Sequence, residues 1–255
     1  MFFVNLLETN LQTKLIGKQI EYYAFTDSTN DDIWELTEDE PINGIVVVTD
    51  NQKNGRGQRD KKWFSKAGHS ITCSFMIAGT DEYLTLLSIL IPVGINNGIK
   101  NLLNLDTDIK WPNDIYFQNK KLGGILIESK MNSGTNNYAI GIGLNVNETE
   151  DDFPEELNEN AISIKTILGK SVQRELLLSY ILNSIDRLMQ EKNLNELIKE
   201  YNSKCSSINQ TVYINSNSKK QSGIFMGIND RGQALIKTKD GENWNWHTIG
   251  QGVNL

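Results

Sequence analysis

The feature that most restricts the possible fold is a block of β-type sequence between residues 108 and 147. It contains four runs rich in β-branched and aromatic residues: DIKWPND, DIYFQN, LGGILIESK and YAIGIGLNV. Short polar segments, NKK and NSGTNN, separate the later runs and are typical of hairpin turns. The sequence therefore predicts strands joined as hairpins over this block.

The segments around this block predict a mixed α/β body. Ser28 or Thr29 is available to cap a first helix, and Pro92 is placed to kink a second, strongly apolar one. An acidic stretch at 147–160 predicts a mobile surface loop. Further strands are predicted at 20–25, 44–50 and 70–79, and helical regions at 27–36, 83–103 and 174–201.

The composition changes near residue 208, after which short strand-like runs alternate with turns such as NDRG and KDG. We therefore place a domain boundary there. Residues 1–207 are predicted to form the mixed α/β body, and residues 208–255 a small module resembling a β-barrel.

Charge and cysteine usage exclude several classes of protein. The net charge of −7 over 255 residues is unlike that of a general nucleic-acid binder. Two distant cysteines and two histidines provide neither a disulfide framework nor the ligands of a histidine-rich metal centre. The N-terminus lacks a signal-peptide pattern, and the longest apolar run, 84–95, is too short to span a bilayer. We expect a cytoplasmic protein that binds neither membrane nor nucleic acid.

Positive charge is concentrated between Lys53 and Lys66. Six basic residues face one acid there, a local charge of +5 that leaves −12 for the rest of the chain, whose net charge is −7. Such focusing favours a bound polyanion, and Gly55 and Gly57 would let backbone amides approach it. A solvated basic loop with turn glycines is the alternative. The patterns GxxxxGK[ST] and GxGxxG are absent, so neither a Walker A loop nor a dinucleotide-binding loop is predicted.

Three other segments carry candidate ligand contacts. Lys121 precedes Gly123 and Gly124 within a predicted strand, where paired glycines suggest close approach of a ligand or of another backbone. Pro112 fixes a turn beside two polar residues, Asn113 and Asp114. The third segment, Ser28, Thr29 and Asn30, would either cap a helix or bind a neutral polar head group.

Taken together, STN, GRGQRDKKWFS, KWPNDIY, KKLGGILIES and IGIGLNVN, in this order over residues 28–147, resemble the biotin protein ligases (biotin–[acetyl-CoA carboxylase] ligases). The resemblance implies an α+β, class II synthetase-like catalytic domain with a mixed sheet and helices over 1–207. A small SH3-like β-barrel would follow over 208–255. It also implies two reactions: biotin attacks the α-phosphate of ATP to give biotinyl-5′-AMP, and a lysine of a biotin carboxyl carrier domain then takes the biotin.

The resemblance assigns roles to individual residues. Lys121 and Arg56 would be the catalytic cations, and Trp63 would cover the intermediate. Magnesium would accompany ATP, with no tightly bound metal. Biotin would be bound by Ser28, Thr29, Asn30, Gln52, Gly55, Arg56, Gly57, Lys121, Gly123 and Gly124. The nucleotide would be bound by Arg59, Lys61, Trp63, Asn113, Asp114 and Asn145.

Two departures from the family pattern concern the basic run. Many members have arginine at the positions of Gln58 and Lys61. Glutamine offers no charged fork to a phosphate, and lysine offers only a point charge. We therefore hypothesise that biotinyl-AMP is held less tightly here than in an arginine-bearing relative.

Two other functional classes compete with a biotin ligase. A lipoate or octanoate ligase would share the fold and the acyl-adenylate chemistry, and a ligand-binding or regulatory module would have lost catalysis. About 19 residues precede the first predicted strand, too few for a winged helix, so we expect a monofunctional form without an N-terminal DNA-binding domain. Both a monomer and a homodimer are compatible with the sequence.

Overall fold

The computed structural model describes residues 1–58, 61–79, 82–132, 135–191, 193–216, 219–240 and 243–249. The body consists of α1 (Val4–Asn10), β1 (Ile20–Tyr23), α2 (Thr29–Leu36), β2 (Val46–Thr49), β3 (Ile71–Gly79), α3 (Glu82–Leu103), β4 (Asp108–Lys110), β5 (Asp114–Phe117), β6 (Lys120–Asn132), β7 (Thr135–Leu144), α4 (Ile164–Leu168), α5 (Arg174–Glu191) and α6 (Leu194–Lys204). The C-terminal segment adds β8 (Thr211–Ser216), β9 (Lys219–Ile228), β10 (Ala234–Asp240) and β11 (Asn243–Ile249).

The body is organised around a seven-stranded mixed sheet in the order β1-β2-β3-β7-β6-β5-β4. Among its described strand pairs, β1 and β2 run parallel and the others antiparallel. The predicted β5–β6 hairpin is confirmed, but its turn residues are Gln118 and Asn119, both with positive φ (47° and 67°), as a tight primed turn requires. The β6–β7 turn falls at 133–134, outside the described residues.

Helices cover both faces of this sheet. Strand β2 is buried throughout, with Val46 and Val48 facing the larger core and Val47 facing α2 through Ile33. Such two-sided burial explains why this strand is a continuous apolar run in the sequence. Ser28 occupies the N-cap position of α2, as predicted, although its side chain makes no capping hydrogen bond.

Helices α3 and α5 pack closely because α3 carries glycine where they meet. A Cβ on Gly98 would lie 2.5 Å from the Cα of Ile181 in α5. Residues 86–103 of α3 are long and apolar enough to cross a membrane, yet 67% of them are buried inside the fold, as in a core helix. The predicted helical region at 174–201 divides into α5 and α6, because Asn193 caps a new helix by accepting from the Glu196 amide.

The C-terminal strands form a separate four-stranded antiparallel sheet in the order β11-β10-β9-β8. This sheet rests on the body through Phe225, whose ring centroid lies 6.0 Å from that of Trp111. Asn202 of α6 also accepts from the Ile228 amide at 3.0 Å. The contacts bring the start of β8 to the edge of the main cleft.

Candidate functional site

A cleft of about 690 Å³ crosses the main sheet from the α2–β3 side to the β4–β5 side. One wall is the segment between β2 and β3, residues 52–66, which we call the basic loop. The acidic segment 147–160 and the start of β8 line the cleft as well. Thirteen of the residues predicted to bind ligand lie on its surface, among them Ser28, Thr29, Asn30, Gln52, Arg56, Gly57, Lys61, Trp63, Asn113 and Asp114. Lys121, Gly124 and Asn145 lie there too.

At the α2 end, polar side chains form a compact head pocket, made by Ser28, Thr29, Asn30 and Gln52. Ser28, Thr29 and Asn30 are each only 3% exposed. The Gln52 Oε1 atom accepts from the Thr29 amide at 2.9 Å, which ties the basic loop to the first turn of α2. Buried hydroxyl and amide groups at this density need partners, so the pocket suits a ligand with neutral donors and acceptors.

Arg56 is held by two carboxylates of the chain itself. Its guanidinium lies 2.5 Å from Asp31 Oδ1 and 3.0 Å from Glu128 Oε1, with a further bond of 3.2 Å to Glu128 Oε2. The resemblance implied that Arg56 holds an anionic ligand. In this arrangement its charge is balanced within the protein, and its planar fork fastens the basic loop to α2 and β6.

The basic loop folds back on itself as a small hairpin. The Gly57 amide donates to Lys61 O at 2.6 Å, and the Trp63 amide donates to Gly55 O at 2.8 Å. Gly55 has no room for a side chain, since a Cβ there would lie 2.6 Å from Trp63 O. Arg59, the predicted phosphate contact, lies outside the described residues.

Trp63 lies on the floor of the cleft, directly over β7. A Cβ on Gly143 would come 2.3 Å from its Cε2 atom, so glycine at 143 makes space for the indole. The ammonium of Lys121 lies 5.8 Å from the centre of the indole. The indole therefore packs against strand β7, and its Nε1 is buried with no hydrogen-bond partner among the described residues.

Lys121 projects over Gly124 toward Asp114. Its Nζ lies 2.7 Å from Asp114 Oδ1, and a Cβ on Gly124 would come 3.4 Å from Nζ. Gly124 thus leaves room for the ammonium. Gly123 has a different reason, because a Cβ there would lie 2.8 Å from Gly143 O on the neighbouring strand. The sequence suggested that either a ligand or another backbone passes close to these glycines. For Gly123 it is the backbone of the neighbouring strand.

The two asparagines predicted to bind the nucleotide donate their side-chain amides to backbone carbonyls. Asn113 Nδ2 donates to Ile125 O. Asn145 Nδ2 donates to Ile162 O at 3.1 Å and to Lys121 O at 3.4 Å. These bonds fix the strand that carries Lys121, so both amides stabilise the cleft wall.

Some parts of the site gave no signal that sequence reasoning used. The acidic segment was predicted to be a surface loop, yet it packs against the basic loop through the Lys66–Asp152 ion pair at 3.3 Å and the Phe64–Phe153 ring contact at 6.4 Å. Its opposite charge was the available clue. Asp31, Ser74, Glu128 and Gly143 were also missed, because each acts through a partner far away in the sequence.

Two further groups limit the chemistry of the cleft. Burial raises the pKa of the Cys73 thiol to about 12, so this cleft-lining residue stays protonated and is not a nucleophile. Within the described ranges, no three His, Cys, Asp or Glu side chains come together as a metal-binding group.

The comparisons with known proteins agree with this geometry. The model of the biotin/lipoate A/B protein ligase family matches residues 22–147. A bifunctional ligase/repressor BirA of Bacillus spizizenii is 30% identical over 246 residues, covering 91% of this chain and 73% of the relative. A biotin–[acetyl-CoA-carboxylase] ligase of Mycobacterium tuberculosis is 27% identical, covering 90% and 89% of the two chains. A biotin protein ligase from Aquifex aeolicus, solved with biotin and ATP, superposes with a TM-score of 0.74 at 28% identity, covering 92% and 97%.

Proposed function

Since the chain belongs to the biotin/lipoate A/B protein ligase family, and within it to the biotin protein ligases, we propose that it activates biotin with ATP to biotinyl-5′-AMP. It then transfers the biotin to a lysine of a biotin carboxyl carrier domain. The single observation that carries the proposal is the head pocket, which shares one cleft with Lys121. One end of the cleft suits the urea of biotin, and the other part holds a cation for its carboxylate and the α-phosphate.

The first step brings two anions together, so the protein must offset their repulsion and align them. Lys121 supplies a mobile positive charge, which Asp114 holds at 2.7 Å until an anionic ligand competes for it. Lys61 adds an exposed cation on the basic loop, and Trp63, which rests on β7, shields part of the cleft from water. Magnesium enters with ATP as the substrate complex.

For Arg56, the contacts with Asp31 and Glu128 favour a role in fixing the loop. The Arg56 side chain is still 43% exposed, so a direct contact with phosphate would share its guanidinium with the two carboxylates. We keep Arg59 as a proposed nucleotide contact. Asn113, Asp114 and Asn145 line the nucleotide side of the cleft in this proposal.

The C-terminal residues 208–255 form the SH3-like barrel in this proposal. The antiparallel meander β8–β11 and its β-bulge near Ile236 support that assignment. The acceptor in this proposal is a biotin carboxyl carrier protein or domain, and the protein acts in the cytoplasm as a monomer or homodimer, without nucleic-acid or membrane partners.

A lipoate or octanoate ligase is the main alternative, because the family model covers both activities. The head pocket argues against it. The dithiolane of lipoate and the alkyl end of octanoate offer no strong hydrogen-bonding groups, so the buried hydroxyls of Ser28 and Thr29 would lose water without gaining partners. A non-catalytic module is disfavoured by Lys121, whose position serves the chemistry rather than the head pocket.

The test combines the protein with MgATP, biotin and a carrier domain, and follows the mass of the carrier. We expect an increase of one biotin less one water. Lys121→Ala should raise the activation barrier by about 3–4 kcal/mol, the typical loss when one charge-stabilising group is removed, and so slow the reaction strongly. Lys120→Ala is the matched control, because the adjacent side chain points to the opposite face of β6.

Pyrophosphate–ATP exchange supported by lipoate or octanoate, and not by biotin, would overturn the proposal. Equal rates for Lys121→Ala and Lys120→Ala would remove Lys121 from the mechanism while leaving the activity in place.

A further inference from the structure

A continuous chain of hydrogen bonds runs from Glu128 on β6 to Thr29 in the head pocket. Glu128 Oε2 accepts from Asn30 Nδ2 at 2.9 Å. Asn30 Oδ1 accepts from the Ser74 hydroxyl at 2.6 Å. The Ser74 oxygen lies 2.7 Å from Thr29 Oγ1. Ser74 is fully buried and does not itself line the cleft, so the chain acts from behind the pocket.

The Glu128 carboxylate at one end of this chain fixes which atom donates in every hydrogen bond along it. A carboxylate only accepts, so Asn30 must turn its amide nitrogen toward Glu128 and its oxygen toward Ser74. Ser74 has one proton and gives it to that oxygen. Thr29 must therefore be the donor in its contact with Ser74, although the oxygen–oxygen distance alone would permit either direction.

This direction leaves Thr29 without a proton for the cleft. The Thr29 hydroxyl has two acceptors within reach, Ser74 at 2.7 Å and Gln52 Oε1 at 3.3 Å, and the bond direction along the chain commits its single proton to Ser74, the nearer of the two. Gln52 Oε1 is already satisfied by the Thr29 amide, at 2.9 Å. Gln52 Nε2 faces the other way, toward Gly55, where a Cβ would come within 2.5 Å of it.

We propose that Glu128, Asn30 and Ser74 are positioning residues that set the polarity of the head pocket by making Thr29 an acceptor, while the Thr29 backbone amide holds Gln52 Oε1 and so leaves Gln52 Nε2 as the donor. This inference rests on the proposed function, in which the ureido ring occupies this pocket. A cyclic urea presents N–H donors beside a carbonyl acceptor, which is the complementary pattern. An isosteric ring with oxygen in place of N–H would put its lone pairs against those of Thr29, and a site built for a donor rejects such an analogue strongly.

The experiment measures dissociation constants for biotin and for the two cyclic carbamate analogues in which either ureido N–H is replaced by oxygen. Wild type should bind one of the two at least about tenfold more weakly than biotin. Ser74→Ala frees the Thr29 proton, so Thr29 can donate to the ring oxygen. The ratio of that analogue's dissociation constant to the dissociation constant of biotin should then fall about tenfold, toward one. A simple loss of packing would weaken both ligands and leave this ratio unchanged.

Glu128→Gln is the second variant, on a side chain that is 27% exposed; it also weakens the contact with Arg56, so its readout is the ratio of dissociation constants and not the absolute affinity. The substituted glutamine side chain can present either its nitrogen or its oxygen to Asn30, so the direction of the chain is no longer fixed and the ratio should fall here too. Thr37→Val is the matched control: it deletes another buried hydroxyl, which donates to Ile33 O at the opposite end of α2. Its ratio should equal that of wild type.

The outcomes separate the two proposals. Wild type that fails to bind biotin would overturn the proposed function. If wild type binds biotin, two results for the variants would overturn the polarity-setting role. Either the variants discriminate between the ligands as strongly as wild type does, or they lose affinity equally for all three ligands. If Ser74→Ala does not fold, the ratio measured with Glu128→Gln decides.

Discussion

At the scale of single residues, the cations of the basic loop differ in how far their charge is already paired within the protein. Arg56 is bound by Asp31 and Glu128, whereas Lys61 is exposed at the cleft. Gln58 lines the same cleft between them and carries no charge. Position 58 is therefore where an additional guanidinium would reach an anionic intermediate without competition from the carboxylates that hold Arg56.

We predict that Gln58→Arg slows the release of biotinyl-AMP measured without acceptor. One added charge-assisted hydrogen bond, worth about 1.4 kcal/mol, corresponds to roughly tenfold in the release rate. Gln58→Lys is the comparison, since it adds charge without a planar fork and should slow release less. If all three proteins release the intermediate at one rate, position 58 has no part in retaining it.

At the scale of elements, the β7 glycines and the basic loop form a matched pair of surfaces. The Trp63 indole lies on Gly143, and the Asn30 amide lies on Gly141, where a Cβ would come 2.5 Å from Asn30 Oδ1. Two alternate residues of one strand thus receive one side chain from the loop and one from α2. Strand β7 sets where both covering elements can rest.

We predict that Gly143→Ala displaces Trp63 and opens the basic loop. The methyl group would meet the indole at 2.3 Å from Cε2, and the rigid strand leaves the loop as the part that moves. Biotin-dependent pyrophosphate exchange should fall about tenfold, equivalent to roughly 1.4 kcal/mol, while limited proteolysis within the loop speeds up.

The control for Gly143→Ala is a double-mutant cycle with Trp63→Ala. Once the indole is absent, the added methyl has nothing to displace, so the double variant should match Trp63→Ala alone. Additive losses would mean that Gly143 acts on the site by another route.

At the scale of the whole molecule, local sequence patterns predicted most of the elements, though not the short helices α1 and α4, and long-range contacts decided what the site residues do. The strands and helices were predictable because β-branched runs, turn residues and helical spacing are local signals. The motifs also brought Lys121, Gln52 and Trp63 into one cleft. The partners of Arg56 and Asn30 were not predictable, since Glu128 lies 72 and 98 residues away from them in the sequence and meets them only through the strand order of the sheet.

The relation between the two sheets is equally non-local, and it determines whether the predicted boundary at residue 208 separates independently stable parts. Phe225 is fully buried and packs on Trp111, which itself lines the cleft. Phe225→Ala should destabilise the protein by about 3–5 kcal/mol, the usual loss for a buried phenylalanine. If residues 208–255 form a separate cooperative unit, that loss falls on the C-terminal strands. Calorimetry should then resolve an early transition, with hydrogen exchange first accelerating in β8–β11.

Arg231→Ala, in the exposed turn between β9 and β10, should change stability by no more than about 0.5 kcal/mol and serves as the control. A single transition that moves as a whole in Phe225→Ala would mean that the two sheets unfold together. The boundary would then mark a change in sequence pattern and not a boundary between two cooperative units. The part of the cleft wall that β8 forms would unfold only together with the main sheet.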